Sequence, residues 1–486
     1  MSSGMTEVVR VEQPLPGAYV GCSTSSLLSA MRFATVTLLV LVLLAGGCRS
    51  ARSPHRLPAP APVAATPVAD SVPLSETETR IRDYVRVHHA DDIALLARSV
   101  NISSGTQNLT GVRRVGDLFA EELVSMGFTV RWAEMPASMR RAGHLIAERR
   151  GASGARLLLI GHLDTVFEGE GQRFVQVDTI ARGAGTSDMK GGNVAMVAAL
   201  RALHATGGLE GSRIVVVMTG DEESAGSPLE LARRDLIDAA KRSDFALAFE
   251  GGRAARAAIA RRGSSGWTLN VTGRQGHSAG VFTTGSGYGA VYEMARILDG
   301  FRRELAGDPT LTFNPGLVAG GTSVQRDSAE VSLVAAGKTN IIAPTAIVHG
   351  DLRFLRETQK DSVRERMRGI VAQHLPGTNA EITFRDRYPA MPPTAAGVAL
   401  LARFDAVSRA LGYGPVEGDP PESRGAGDVS FVAPFLTGID GLGVSGRGAH
   451  SPDESVNLNS LRMAGERAAI LMHRLITGPS LEPIRP

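Results

Sequence analysis

Cysteine is nearly missing from this chain of 486 residues. The two thiols, Cys22 and Cys48, both stand near the N-terminus, so nothing beyond them offers a disulfide, a thiolate metal site or a cysteine nucleophile. An excess of one charge is missing too: 52 Lys and Arg face 49 Asp and Glu, a formal +3. So small a surplus, with its basic residues scattered, excludes the footprint of a nucleic-acid binder. There are no internal repeats. The one conspicuous apolar run, FATVTLLVLVLLAGGC, is too short for a comfortable membrane span. The chain as a whole is 43 % apolar and 21 % charged, as in a soluble globular protein, and too long for one ordinary core. Two domains plus extensions are expected.

The apolar run follows Met31 and Arg32, giving the short basic start, greasy middle and small-residue end of a secretory signal. Residues 1–30 have no periodic pattern, and Met31 is a second candidate start. LLAGGC resembles the lipobox of bacterial lipoproteins, with Cys48 as the lipidated first residue and Ala45 where Leu is commonest. Arg49 rather than Asp follows it, so in a two-membrane bacterium the expectation is export and lipid anchoring to the outer membrane, facing the periplasm. The next stretch, ARSPHRLPAPAPVAATPVADSVP, holds too little bulky apolar content to fold and reads as an extended tether. The expected organisation is therefore a signal and lipobox at 1–48 and a tether at 49–79. A disordered tail on a cleaved, soluble exported protein is the alternative.

From about Glu76 the pattern becomes α/β. Residues 111–126 and 191–207 read as helices, and RLLLIGH, RIVVVMTG and DFALAFEGG as buried strands. Short continuous apolar strands alternating with helices predict a mostly parallel sheet covered on both faces, with its chemistry beyond the carboxyl ends of the strands. Near Arg262 the character changes. GWTLNVTG alternates, a helix follows, IVHGDLRFL is a strand, and an amphipathic helix precedes AEITFRDRY. This predicts a two-layer α/β insert over 263–387 that splits a larger α/β domain into 80–262 and 388–480.

The strand ends then carry the chemistry. His162 and Asp164 follow the first buried strand, Asp221, Glu222 and Glu223 the second, Glu250 the third, and His450 the apolar GIDGLGVSG. All are expected to project into one crevice. Asp188, in GTSDMKGG, precedes a helix, where a plain N-cap is one reading. Two imidazoles and three carboxylates without a thiolate suit a pair of zinc or similar divalent ions, and Asp188 could bridge them. Two adjacent glutamates divide naturally into a ligand and a base for the attacking water. In His162-Leu163-Asp164 the carboxylate can hold the second ring N–H and fix the tautomer.

In this order GHLDTVF, GTSDMKGG, TGDEESAG, AFEGG and GRGAHSPDESV resemble the motifs of the glutamate carboxypeptidase and aminoacylase family of co-catalytic zinc metallopeptidases. The resemblance covers about 80–480. It implies that His162, Glu250 and the bridging Asp188 hold one metal, and Glu223, His450 and Asp188 the other. It implies Glu222 as general base and Asp164 as partner of His162. The insert becomes a lid that carries a homodimer contact. His277, in TGRQGHSAG, matches the lid histidine that stabilises the oxyanion, and Asn340, in KTNIIAP, and Arg353, in GDLRF, match residues that bind the substrate carboxylate. Arg424, in SRGAGDVSF, departs from the glycine that relatives often have, within the specificity pocket.

The expected activity is hydrolysis of an amide bond next to a free C-terminal amino acid in a small peptide. Glu250, where other members have Asp, resembles carboxypeptidases and deacylases and argues against the tripeptide aminopeptidases. An N-acyl-amino-acid deacylase with the same two-metal site is the alternative. A metal-containing binding lipoprotein without activity is a third reading, and the presence of both Glu222 and His277 speaks against it.

Overall fold

The computed structural model of the protein describes residues 72–169, 172–327 and 331–478. The signal, the lipobox with Cys48 and most of the tether lie outside the described residues. Among the described residues no helix is long and apolar enough to cross a membrane.

Order begins earlier than the expected end of the tether. Helix α1 spans Glu76–Val87, because Ser75 and Glu78 form a capping box that satisfies the free amides of its first turn. It leads into α2, His89–Val100, and α3, Leu109–Ser125. Strands β1 (Thr129–Ala133), β2 (His144–Arg150) and β3 (Arg156–His162) follow, then α4 (Lys190–Ala205), β4 (Arg213–Thr219) and β5 (Phe245–Ala248). The insert contributes β6 (Gly263–Gly273), β7 (Gly276–His277), α5 (Gly289–Leu305), β8 (Thr312–Gly321), β9 (Ile341–Ile342), β10 (Thr345–Phe354), α6 (Glu357–Val371) and β11 (Thr378–Asp386). The chain returns through α7 (Ala395–Ala410), β12 (Thr437–Ile439) and α8 (Leu458–Thr477).

The six-stranded sheet has the order β1-β2-β4-β3-β5-β12. Pairings β4–β3, β3–β5 and β5–β12 are parallel, whereas β2 runs antiparallel to both β1 and β4. Along β3 the side chains alternate between two cores, as a period of two requires. Leu157 and Leu159 join the core beneath α1, α4 and α8, and Leu158 and Ile160 join Leu236, Val429 and Val432 on the other face. Glu78 of α1 accepts Arg474 Nε of α8 at 2.6 Å and so fastens the first helix to the last.

The insert forms a four-stranded antiparallel sheet, β8-β10-β6-β11, whose core of Trp267, Leu269, Val348, Ile297 and Phe301 is built with α5 and α6. Strand β8 was not expected from the sequence. It lies at the sheet edge with its side chains mostly exposed, so backbone pairing with β10 rather than an apolar pattern defines it. Two chain crossings join the insert to the larger sheet. They are tied together by paired bonds between Arg261 and Met391, both 2.9 Å, and by Ser264 N donating to Tyr388 O at 2.8 Å.

Candidate metal centre

Parallel strands β3, β4 and β5 end side by side, and the chemistry gathers just past them. His162 is the last residue of β3, Glu222 and Glu223 lie shortly after β4, and Glu250 is two residues beyond β5. Asp188 arrives from the opposite side in the turn before α4. That helix sits very close to the strand ends: a Cβ on Gly192 would collide with the carbonyl of Phe249, beside Glu250, so this position requires glycine. Asn193 of the same helix donates to the His162 carbonyl at 2.6 Å.

Asp188 does not cap α4. The N-cap is Met189, with no side-chain cap bond, and the Asp188 carboxylate turns to the imidazoles instead. Its Oδ1 lies 3.2 Å from His162 Nε2 and its Oδ2 3.1 Å from His450 Nε2. Glu250 Oε1 lies 3.6 Å from His162 Nε2, and Glu223 Oε2 lies 3.3 Å from His450 Nε2. Two triads result, His162–Asp188–Glu250 and Asp188–Glu223–His450, each with its ligand atoms within 4.8 Å of one another. His450 has a positive φ of 64°, the left-handed bend that turns its ring back towards Asp188.

The electrostatics are those of a site built around cations. Burial pulls the His162 imidazole down, yet Asp164, Asp188, Glu250 and Glu222 carry it well above its ordinary value. His450 is lifted to about 10, chiefly by its bonds to Asp188 and Glu223. Burial raises Glu250 to about 7, against the pull of His162 and with the push of Asp188. Glu222 is raised well above the ordinary carboxylate range by burial and then by Glu250. Glu223 Oε1 is buried without a hydrogen-bond partner. Crowded carboxylates, an orphaned carboxylate oxygen and two imidazole nitrogens on a common focus fit two borderline divalent cations sharing Asp188.

Asp164 holds the centre together differently from expectation. His162 Nδ1 lies 3.0 Å from the Asp164 carbonyl, and the carboxylate Oδ1 stands farther off at 3.4 Å. That carboxylate instead accepts Thr106 Oγ1 at 2.6 Å and the amides of Glu222 and Glu223 at 3.0 and 3.1 Å. Asp164 therefore fixes the loop of the two glutamates through its carboxylate and the histidine through its carbonyl. Asp221 does not enter the crevice as expected. It is fully buried and paired with Arg233 at 2.6 Å, because the chain turns inward there before exposing its neighbours.

Glu454 was not singled out in the sequence. Its buried carboxylate accepts the amides of Gly185, Ser187 and Asp188 at 2.9, 2.8 and 2.9 Å. Its place four residues after His450, within SPDESV, was the available signal.

On the insert, β7 pairs with β9, placing His277 opposite Ile341, and Ser278 N donates to Asn340 O at 2.9 Å. His277 and Asn340 are thus neighbours, both exposed. Arg353, on β10, pairs with Asp351 at 2.6 Å. Among the described residues no hydrogen bond or ion pair joins these three to the triads. Arg424 donates to the carbonyl of Gly251 at 2.8 Å, directly behind Glu250.

Such a fold and centre define a dinuclear-metal hydrolase. The chain belongs to peptidase family M20/M25/M40, whose model matches residues 158–474, and so to the co-catalytic metallopeptidases and aminoacylases. It is 27% identical over 427 residues to carboxypeptidase G2 of Pseudomonas sp. (strain RS-16), covering 82% of this chain and 93% of that one. It is likewise 27% identical over 398 residues to the succinyl-diaminopimelate desuccinylase of Acidiphilium cryptum (strain JF-5), covering 79% and 99%. Aminopeptidase PepT of Bacillus cereus shares the fold, with a TM-score of 0.63 at 16% identity over 80% of this chain and 98% of that one.

Proposed function

We propose that the protein is a zinc-dependent exopeptidase that hydrolyses the amide bond next to a free C-terminal amino acid. The observation that carries this reading is the arrangement around Asp188: two triads share it, and Glu222, which belongs to neither, stands next to the ligand Glu223 with no carboxylate bond of its own to a triad residue. His162, Asp188 and Glu250 would hold one ion, and Asp188, Glu223 and His450 the other. A pair of divalent ions there supplies Lewis acidity toward water and toward the scissile carbonyl. Glu222, free of both triads, takes the proton of the attacking water and returns it to the leaving nitrogen. Burial raises its affinity for a proton, which suits the second half of that task. Asp164 holds the Glu222 amide in place. The insert is the lid and homodimer contact; on it His277 stabilises the oxyanion, and Arg353 with Asn340 binds the substrate carboxylate. The likeness to carboxypeptidase G2 supports this assignment.

A second reading is an N-acyl-amino-acid deacylase with the same centre, favoured by the likeness to the desuccinylase. Dipeptides and N-acyl amino acids offered side by side, with the released amino acid identified by mass, separate the two. Glu222→Gln should abolish hydrolysis with two metal equivalents retained; undiminished turnover would overturn the base assignment. The expected cell address is the periplasmic face of the outer membrane, anchored at Cys48.

A further inference from the structure

Arg233 heads the fully buried side chains by size, and the hydrolytic reading makes no use of it. Its guanidinium donates from Nε to Asp428 Oδ1 at 2.7 Å, from Nη1 to Asp221 Oδ1 at 2.6 Å, and from Nη2 to the Asp221 carbonyl at 3.2 Å. Asp428 is held in turn by Thr219 Oγ1 at 2.6 Å, and Asp221 by the amide of Gly226 at 2.7 Å. The guanidinium also lies over the ring of Phe431. Buried charge clusters of this kind stabilise a fold poorly compared with apolar residues of the same volume. Here the bonds of the cluster to Asp221, and of Asp221 to the Gly226 amide, hold the turn from Thr219 to Gly226, which carries Glu222 and Glu223.

One further donor of Arg233 shows what is being fixed. Nη2 lies 3.3 Å from the hydroxyl of Tyr388, and that hydroxyl donates to the backbone carbonyl of Glu222 at 2.6 Å. Tyr388 sits on the crossing by which the chain leaves the insert. Its backbone is bonded both ways to Ser264, at the start of β6 just past the other crossing, Ser264 N to Tyr388 O at 2.8 Å and Tyr388 N to Ser264 Oγ at 3.3 Å. Glu222 is therefore gripped from two directions. Its N–H is held by Asp164, at the end of the strand that carries His162, and its C=O is held by the hinge of the insert.

We propose that Tyr388, backed by Arg233, is a positioning residue that sets Glu222 relative to the metal ligands and ties that setting to the orientation of the insert. This rests on the reading of Glu222 as the general base. A turn of the insert about its two crossings displaces the Tyr388 hydroxyl and draws on the Glu222 carbonyl, while the Asp164 grip stays where the ligands are. Closure of the insert on a substrate and alignment of the base then become one motion.

Tyr388→Phe in the full, zinc-loaded chain isolates the hydroxyl, because the ring keeps its packing against Phe431. The expected result is a fall in kcat of roughly 10–100-fold, the scale of a sub-ångström to ångström displacement of a reacting group. KM, metal content and unfolding midpoint should stay close to wild type. Amide hydrogen exchange gives a readout independent of catalysis: in Tyr388→Phe the peptide covering 219–226 should exchange faster while the six-stranded sheet does not. Unchanged kcat with unchanged exchange overturns the proposal. So does exchange that quickens throughout the molecule with a lowered midpoint, since that is the signature of a merely structural tyrosine. Wild-type enzyme inactive on every dipeptide and N-acyl amino acid would instead sink the hydrolytic reading, and the exchange measurement would still decide whether Tyr388 holds the turn.

Discussion

The carboxylate of Glu454 accepts the backbone N–H of Asp188 at 2.9 Å. With the amides of Gly185 and Ser187 on the same carboxylate, the turn that presents the bridging ligand is held by a residue that is no ligand itself. Glu454→Gln would point an N–H2 group at these donors. We expect metal affinity to fall by about 10–100-fold, the usual effect of losing a group that orients a ligand. Competition against a chromogenic chelator checks this, and unaltered affinity would mean that the turn holds itself.

The shared position of Asp188 separates two substitutions. Asp188→Ala should strip both ions, because it removes one donor from each triad. His450→Ala should weaken mainly the ion held with Glu223. Metal analysis after zinc reconstitution and gel filtration distinguishes them, and well under two equivalents in the wild type would count against a dinuclear centre.

Arg353 should decide the preference for a free carboxylate. Losing a charge-assisted, desolvated hydrogen bond costs on the order of 2–5 kcal/mol, a fall of roughly thirty-fold to several thousand-fold in catalytic efficiency. Arg353→Ala is expected to show that loss on free acids with metal content intact. Arg353→Lys should recover only part of it, since a point charge lacks the planar fork. An exposed Arg353 that only pairs with Asp351 predicts near-neutral variants, and equal turnover of acids and their amides by the wild type would remove the carboxypeptidase assignment.

Asp92 gives the fold a pH dependence away from the metals. Burial lifts its carboxyl from 3.8 to about 7, outweighing Arg201, whose Nη1 donates to it at 3.2 Å. Because the folded value lies above the unfolded one, its contribution is full below about pH 4 and is lost as pH rises through about 7. The advantage of Asp92→Asn over the wild type should therefore grow between those limits, to at most roughly 4 kcal/mol above about pH 7. Denaturant titrations at several pH values test this; parallel stability curves for the two proteins would show that Asp92 does not titrate as described.

Anchoring at Cys48 is tested by metabolic labelling. Radiolabelled palmitate should enter the wild type and not Cys48→Ser, and the variant should be released by osmotic shock. Equal label in both would exclude the lipobox reading.

The crevice was legible in the sequence to the extent that its ligands stand at the ends of apolar strands. RLLLIGH and RIVVVMTG announce β3 and β4, and the residues after them can only emerge at that edge. That Asp221 stays out of the crevice was not legible. Asp221, Glu222 and Glu223 are three acids in a row, and only the inward turn stabilised by Arg233 separates the buried one from the two that face the centre. Glu454 was hidden for a related reason, since its role is set by three backbone amides that come from residues far away in the chain. Strand β8 escaped because TFNPGLVAGG carries a proline and three glycines and pairs through its backbone at an edge. Helix α1 overlapped the expected tether because its anchor is the ion pair of Glu78 with Arg474, nearly the whole chain away.

The splitting of the large sheet by the insert has a consequence in time. His162, Asp188, Glu223 and Glu250 are all synthesised before the insert begins, but β12, His450 and Glu454 come after it has been laid down. A growing chain therefore carries one triad and an unanchored bridge, and closing the sheet along β5 requires contacts spanning nearly two hundred residues, a slow class of event in folding. Hydrolytic competence would arrive only with the final stretch of polypeptide. If the chain is exported unfolded, the nascent enzyme is inert toward peptides on the side of the membrane where it is made.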